Sequence, residues 1–470
     1  VDLGWWPTVY KERDLTVDSK KKKLTKEKYK ETVERYMAQT VDSPFKRDRM
    51  FHLTLSMKCK DEQVLSKLLS RDLERPVKVY TNPTFTVGQD KELCPKLEEM
   101  SEIFPHVYKV VEFLTYRHRR NSILGGGVGI DEDDVEMEKG YLANIRADGR
   151  IPTPADTCGC NTSRFKHRIV ANIPRITSMY GKNMRAMFGV ERKKYAQFGY
   201  DFSSLEGRME SHYCWKYDDT KEYCNSLILE KPFDVHTLTA KKISEMLGKP
   251  FGRSPAKSTK YCCTYGGRPM RVAMTIGSDF ETGKQVYDAF WLAADPLRQL
   301  GESLKKYWES IGGKKFVLGI DGRKVPTRSA SALVNSLLQS AGVICAKWTM
   351  VLHDRKLAAK GLTVDFFRDD WKNKSYITQL VAMHDEAQME VSKGLIDWKI
   401  FKEEDEAIAF KKSSTDNWSE VGHIGDKWFV GKSVISDLLL EAVDETTAKL
   451  KLNIPLGVEF IYGDSWATCH

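Results

Sequence analysis

The sequence predicts a fold of the α/β (α+β) class, in which helices and strands are both present. Beyond residue 140, short apolar runs alternate with helical stretches and show no repeat period, which excludes a solenoid. Before residue 125, apolar residues recur at helical spacing and predict long helices over 61–69 and 93–121. The composition, 41 % hydrophobic and 30 % charged, is that of a globular chain.

Length and charge limit the function classes. The 470 residues suffice for two or three domains with a core that needs no disulfides. A formal charge of +9 favours a polyanionic partner such as nucleic acid. The 10 cysteines include no CxxC pair, which argues against a zinc ribbon and a secreted disulfide framework. Because no uncharged apolar run approaches the ~20 residues of a membrane span, we expect a cytoplasmic protein without membrane contact.

The N-terminal third has two distinctive charged segments. Residues 18–50 are rich in lysine, with an unbroken run at 20–23, and predict a solvated basic segment. A contact with DNA or an accessory factor is the alternative for this segment. Glycines and acids over 125–139 predict a flexible break before a new segment at Tyr141.

Two acidic motifs are suited to metal binding. Within 198–213, a short apolar strand leads to Asp201 and then passes into an amphipathic helix. Within 381–391, Asp385 and Glu386 lie at the turn of a predicted β-hairpin. Carboxylates at strand ends can hold cations at the rim of a sheet, so we expect the two motifs to converge on a pair of Mg²⁺ ions.

A third motif, 252–267, predicts a helix with a phosphate-binding end. Ser254 and Pro255 are suited to a helix cap and first turn, so the helix is predicted to begin there. Cations at a helix N-terminus suit a triphosphate, and aromatic rings farther along offer a stacking surface for a base. These residues recur every four positions along one face: Arg253, Lys257, Tyr261 and Tyr265.

Together the three motifs resemble the signature motifs of the family A DNA polymerases, in the same order. The matching segments are DFSSLEGR (201–208) for motif A, RSPAKSTKYCCTYG (253–266) for motif B and HDE (384–386) for motif C. Supporting matches are DGR (148–150), DVHT (234–237) and NSLLQSAG (335–342). The closing SWATCH is similar to the C-terminus of the replicative polymerases of short-tailed bacteriophages. Roughly the last two thirds of the chain is covered.

The resemblance implies a right-hand polymerase fold with an antiparallel palm sheet, helical fingers and a helical thumb. In chain order, the implied parts are an N-terminal remnant with the basic segment (1–60), a thumb (61–140), a first part of the palm (141–213), fingers (214–334) and a second part of the palm (335–470).

The resemblance also implies a two-metal site. Asp201 and Asp385, with the backbone carbonyl of Phe202, are expected to bind two Mg²⁺ ions, for which Mn²⁺ can substitute. One ion would activate the primer hydroxyl and the other would steady the pyrophosphate. Glu386 is expected to be an auxiliary catalytic carboxylate.

By the same resemblance, motif B and its neighbours bind the nucleotide. Arg253 and His236 are expected to hold the outer phosphates, and Lys257 to reach the α-phosphate or donate a proton to pyrophosphate. Tyr261 is expected to stack beneath the sugar and base. Glu206 is expected to be a sugar gate that is hydrogen-bonded to Tyr261.

Six further residues are expected at the template and primer. Tyr265 is expected to guard the template position and His384 to support the primer end. The remaining primer-template residues are Gly266 and three implied readers of the minor groove, Arg164, Asn335 and Gln339.

The sequence also departs from the family pattern. Cys262 stands where glycine is usual, and Pro255 predicts a later start of the helix. The Asp-x-Glu patterns at 72–74 and 134–136 are not on apolar strands, so no proofreading site is recognised. Three alternatives stay open: an exonuclease domain ahead of Val1, an exonuclease on a separate chain, or none.

The expected function is replicative, template-directed DNA synthesis, with primer-template DNA and deoxynucleoside triphosphates as partners. A processivity factor, a separate exonuclease or a helicase-primase would be accessory partners. One rival function is a single-subunit RNA polymerase, against which Glu206 argues. The other rival is a catalytically silent DNA-binding subunit.

Overall fold

The structure is a computed structural model that divides into two compact units, Val1–Ile123 and Leu124–His470. It describes residues 140–469 except 313–315, 328, 365–373 and 425–426. In the first 139 residues it describes 105–125, residues 25, 27 and 28, and eight short strands.

The first unit combines short antiparallel strands with a long helix. Four of its strands form one sheet in the order β1-β6-β4-β5. The strands are β1 (Lys11–Asp14), β2 (Asp42–Ser43), β3 (Lys46–Arg47), β4 (His52–Leu53), β5 (Met57–Lys58), β6 (Lys78–Thr81), β7 (Thr86–Val87) and β8 (Glu92–Leu93).

Helix α1 (Pro105–Leu124) confirms only the later part of the helix predicted over 93–121. Leu93 is paired in β8 instead, and α1 begins at a proline, which lacks an N–H and therefore suits the first helical position. Val107, Val111 and Leu114 are buried along one face of α1 at helical spacing. The predicted helix over 61–69 and the lysine run at 20–23 lie outside the described residues.

A four-stranded antiparallel sheet, here called the central sheet, organises the second unit. Its order is β14-β15-β11-β19. The strands are β11 (Tyr195–Phe202), β14 (Ile377–Met383), β15 (Glu386–Ser392) and β19 (Val458–Gly463). Successive side chains of a strand point to opposite faces. One face of β11 therefore places Phe198, Tyr200 and Phe202 in the apolar core, and Asp201 lies on the other face.

Three helices supply the apolar core on that side of the central sheet: α3 (Leu205–Cys214), α10 (Leu333–Ala359) and α12 (Val434–Lys449). Helix α10 runs about 40 Å at 1.5 Å per residue. Helices α3 and α10 approach closely at Gly342, where a Cβ would lie only 3.3 Å from Leu205 Cγ. The helix that follows motif A is thereby fixed against the core of the sheet.

A helical block with its own core follows motif A. Val272, Val286, Phe290 and Leu297 are completely buried at its centre. Its helices are α4 (Glu222–Ser226), α5 (Val235–Leu247), α6 (Arg253–Thr264), α7 (Pro269–Ile276), α8 (Phe280–Ala293) and α9 (Asp295–Ser310). The helical content predicted for this part of the chain is confirmed.

The remaining elements are small. They are helices α2 (Gly181–Ala186) and α11 (Glu404–Ser413), the strand pairs β9 (Ala155–Asp156) with β10 (Lys166–His167) and β12 (Phe316–Leu318) with β13 (Lys324–Pro326), and a sheet of β16 (Ile396–Phe401), β18 (Lys427–Ser433) and β17 (Gly422–Ile424). The mixed fold with an antiparallel sheet is as predicted. Among the described residues, no helix is long and apolar enough to cross a bilayer.

Candidate active site

The two predicted metal-binding aspartates lie at the same end of neighbouring strands. Asp201 is the penultimate residue of β11 and stands in register with Glu386 of β15. The Phe202 backbone N–H donates to the Asp385 carbonyl oxygen at 3.3 Å, which joins the two chain segments at this point. Both aspartates are exposed. The structure therefore brings together motifs A and C, which are 184 positions apart in sequence (385 − 201).

The β-hairpin predicted for motif C is present. Strands β14 and β15 are joined by His384 and Asp385, and His384 has a φ of 60°. A positive φ is uncommon in residues other than glycine, so the backbone of this turn is constrained next to the exposed Asp385. The ring of His384 lies 6.0 Å from that of His167, which is itself within 2.6 Å (Nε2) of the Ala382 carbonyl oxygen.

Glu386 differs from its aspartate neighbours because it is 8 % exposed and is held in a buried network. Its Oε1 accepts hydrogen bonds from the Trp466 indole N–H and, at 2.8 Å, from Gln388 Nε2. Arg185 Nη1 lies 3.6 Å from the same oxygen, and the Arg185 guanidinium stacks 5.0 Å from the Trp466 ring centre. Burial lowers the pKa of Arg185, although the nearby Glu386 opposes this effect.

The chain end also closes over the central sheet. A Cβ at Gly199 on β11 would lie 2.1 Å from the Cys469 carbonyl oxygen, so only glycine fits there. Gln388 Nε2 donates to that same carbonyl at 3.1 Å. The C-terminal segment thus covers the polar face of the sheet just behind the two aspartates.

The donor set at the strand ends fits a hard cation. Asp201, Asp385 and the Phe202 carbonyl supply only oxygen, which Mg²⁺ prefers, usually with substrate phosphates and waters completing its shell. Within the described ranges, no three Asp, Glu, His or Cys side chains converge to form a metal site on their own. The aspartates would therefore hold a metal together with backbone and substrate oxygens rather than in a closed protein cage.

Helix α6 carries the motif B residues. It begins at Arg253, with Gly252 as the N-cap, so the start predicted at Ser254 and Pro255 is wrong by about one residue. Pro255 fits inside the first turn because the backbone N–H groups there have no intrahelical acceptor. Cys262, which stands where glycine is usual in the family, fits next to Gly267, where a Cβ would lie 2.4 Å from the Cys262 Sγ.

The predicted face of α6 is present and points to solvent. Lys257 is exposed, and Tyr261 and Tyr265 are 45 % and 53 % exposed. Gly266 follows at φ +84°, a left-handed conformation that favours glycine, and a Cβ there would lie 3.1 Å from the Ser331 Cβ. The chain therefore leaves α6 at a fixed angle directly after Tyr265.

Arg253 has an intramolecular partner. Its Nε donates to both carboxylate oxygens of Asp234, at 3.1 and 3.2 Å, and its Nη2 forms a further short contact. Asp234 is also the N-cap of α5, where it accepts from the Thr237 N–H at 3.1 Å. Burial raises the pKa of Asp234, but the bonds from Arg253 and Thr237 outweigh it and hold that pKa well below its usual range.

His236 lies beside this pair and is neutral near pH 7. Burial, followed by the positive charge of Lys260, lowers the pKa of His236 to about 4. Its Nδ1 is buried and has no hydrogen-bond partner among the residues that the structure describes. The His236 ring lies 6.1 Å from that of Tyr261. In the chain without a ligand, His236 is therefore neutral and can offer an N–H to an anion at this end of α6.

Glu206 has a different partner from the one expected. Arg164 Nη2 donates to Glu206 Oε1 at 3.0 Å. In the described part of the chain no hydrogen bond joins Glu206 to Tyr261, so the predicted bond between them is wrong for this structure. The pair is half-exposed, so it contributes little to stability and can rearrange when a ligand binds.

The two predicted amide readers lie on the first turns of α10. Asn335 and Gln339 are four residues apart and half-buried on this helix. Neither side chain forms a hydrogen bond within the described ranges, so both amides are available to a ligand.

Sequence reasoning missed the residues that hold the predicted ones in place. Asp234 was detectable, because an Asp three residues before Thr237 is a helix-cap pattern. Arg185 gave no local signal, and Trp466 was noticed only as part of the closing SWATCH, because both reach Glu386 from positions about 200 and 80 residues away.

Comparisons with known proteins identify the family of this chain. The model of DNA polymerase family A matches residues 134–403, more than half of the chain. The DNA-directed DNA polymerases of Enterobacteria phage T3 and Escherichia phage T7 are each 28 % identical over 277 residues, which cover 54 % of this chain and 37 % of the relative. This chain thus spans little more than a third of the length of those two relatives.

A solved structure shares the fold. It is described as the POL domain of Pol1 from M. smegmatis in complex with DNA primer-template and dNTP. The TM-score is 0.56 at 16 % identity, covering 87 % of this chain and 61 % of that one. The shared fold is that of a polymerase domain. On the family match, the chain belongs to DNA polymerase family A.

Proposed function

We propose that this chain is a template-directed DNA polymerase that adds deoxynucleotides to a primer end, in a replicative role of the phage type. The observation that carries the proposal is the placement of Asp201 and Asp385 as exposed carboxylates at adjoining strand ends. Family membership supports it. The proposed domains have the bounds given in the sequence analysis: an N-terminal remnant (1–60), a thumb (61–140), a palm (141–213 and 335–470) and fingers (214–334).

Each proposed catalytic residue acts by position and charge. Phosphoryl transfer requires little covalent help, so orientation and charge neutralisation dominate its catalysis. When bound, two Mg²⁺ ions supply charge neutralisation at the attacking and leaving oxygens, and Mn²⁺ can replace them. Asp201, Asp385 and the Phe202 carbonyl would hold these ions. Without cations, the two carboxylates would repel the phosphates of the nucleotide.

Helix α6 binds and orients the nucleotide. Lys257 is exposed one turn after Arg253 and provides a cation for the phosphates, and it is the donor for the departing pyrophosphate. Arg253 exchanges its bond to Asp234 for a phosphate oxygen. His236 adds a neutral N–H. Tyr261, two turns along the same face, stacks against the sugar and base.

The primer and template are held around this helix. Tyr265 and Gly266 border the template position, and His384 supports the primer end from the hairpin turn. The minor groove of the new base pair is checked by three donors that read pair shape rather than sequence: Arg164, Asn335 and Gln339. A processivity factor, a separate exonuclease or a helicase-primase would be accessory partners.

Primer extension tests the proposal against its rivals. The chain, a labelled primer-template and Mg²⁺ are incubated with deoxynucleotides or ribonucleotides in separate reactions. Template-dependent extension with deoxynucleotides is expected. Extension that prefers ribonucleotides would instead indicate an RNA polymerase. DNA binding without any extension would indicate a catalytically silent subunit.

A further inference from the structure

A buried ion pair joins the two helices that carry the proposed sugar-contacting residues. Lys260 Nζ on α6 donates to Glu210 Oε2 on α3 at 2.6 Å, and the two side chains are 9 % and 3 % exposed. Tyr223 of α4 donates its hydroxyl to the other oxygen, Glu210 Oε1. Both carboxylate oxygens thus have a donor.

The pair is adjacent to the site without being part of it. Glu210 lies one turn after Glu206, on the same side of α3, because residues four apart are neighbours on a helix. Lys260 directly precedes Tyr261 on α6. Lys260 points inward while Lys257 and Tyr261 point to solvent. The contact therefore ties the helix of the proposed sugar gate to the helix of the proposed stacking tyrosine.

The rest of the inward face of α6 packs mainly against α5, α7 and α8. Its other buried residues are small: Ala256, Thr259 and Cys263. Such residues pack closely but give no directional contact. A buried ion pair has a large desolvation cost that is offset only in good geometry, so it favours one relative position of its two helices.

We propose that the Lys260–Glu210 pair is a positioning device that sets the distance between Tyr261 and Glu206 and thereby the discrimination between deoxyribose and ribose. This inference rests on the proposed function. Tyr223 anchors the carboxylate, so the pair also links α4 to the same point. None of these three residues is expected to touch the nucleotide.

The test compares sugar selectivity with stability. Glu210→Gln keeps the shape of the side chain but removes its charge, and Lys260→Met removes the partner charge. KM and kcat for one deoxynucleotide and the matching ribonucleotide are measured on one primer-template, with thermal unfolding in parallel. We expect both variants to raise the deoxynucleotide KM and to lower the deoxy-to-ribo efficiency ratio by about 10-fold, since ångström-scale misplacement costs that much or more.

A matched control removes an ion pair from the same helical block. Lys242 of α5 lies 3.4 Å from Glu222 of α4 at the surface, and Lys242→Met is expected to leave KM and the sugar ratio unchanged. If Lys260→Met does not fold, Glu210→Gln alone decides the question.

Two results would overturn the inference. If the two variants have lower melting temperatures but an unchanged sugar ratio and KM, the pair is only a structural contact. The proposed function would not be affected by that result. No extension by the parent chain would instead remove the proposed function, and this inference with it.

Discussion

Replacing Glu386 by Gln separates two roles for this residue, an auxiliary catalytic carboxylate and a buried anchor of the hairpin that carries Asp385. In the variant, Trp466 can still donate to the amide oxygen, so the main loss is the negative charge beside Arg185. The Arg185 side chain is 6 % exposed and would be left as an uncompensated buried cation.

The structure sets the size of the effect. Removing one partner of a buried ion pair costs about 3–5 kcal/mol. Glu390, four residues along β15, provides the comparison, because its partner Arg150 lies 2.8 Å away but is 41 % exposed. Water can rehydrate Arg150, and the Tyr376 hydroxyl, which donates to Glu390 Oε1 at 2.8 Å, can donate to an amide oxygen instead, so Glu390→Gln should cost only about 1–2 kcal/mol. The double variant Arg185→Met with Glu386→Gln removes both buried charges and should recover most of the loss.

The assay is urea unfolding of the four proteins at pH 7, followed by single-nucleotide extension by each. If Glu386 is an anchor, the double variant should regain stability and extend primers within a few-fold of the parent. A stable double variant that remains inactive would show that the carboxylate itself serves the chemistry. Equal stability losses for Glu386→Gln and Glu390→Gln would refute the argument from burial.

Three further predictions concern single residues. Burial lowers the pKa of His353 to about 4, below its usual 6.5, so the free energy of unfolding should fall as the pH drops through this range. Between pH 7 and pH 5, urea unfolding should show that the His353→Leu variant loses about 2 kcal/mol less of this free energy than the parent does. An equal loss in the two proteins would contradict this prediction. Tyr261→Phe should raise discrimination against dideoxynucleotides by ~100-fold in competition assays, because the hydroxyl replaces the missing sugar contact; strong rejection by the parent would contradict this. Gly199→Ala should lower the melting temperature, since its Cβ would meet the Cys469 carbonyl oxygen, and an unchanged value would show that the C-terminal segment moves aside freely.

The sequence was sufficient to predict the local elements that carry the candidate site residues. Alternation placed Asp385 at a hairpin turn, and four-residue spacing placed Lys257 and Tyr261 on one face of a helix; both features are confirmed. These are local patterns, set by the periods of strand and helix. The start of α6 was misplaced because a proline is tolerated anywhere in a first helical turn.

The partners of the predicted residues could not be read from the sequence. Arg253 is joined to Asp234, and Glu206 to Arg164, across 19 and 42 residues. Such pairs depend on how helices and loops pack, and no spacing rule covers them. Lys260 directly precedes the exposed Tyr261 on α6, yet it is buried because its side chain reaches Glu210 of α3, 50 positions away in sequence.

Single-nucleotide incorporation by Asp201→Asn and Asp385→Asn in Mg²⁺ tests the central claim most directly, with primer-template binding measured on the same proteins. Asp397→Asn, an exposed strand aspartate of the sheet formed by β16, β18 and β17, is the control. Both active-site variants should show no detectable incorporation while binding DNA within a few-fold of the parent, and the control should be unaffected. Near-parental turnover by either active-site variant would contradict the two-metal assignment.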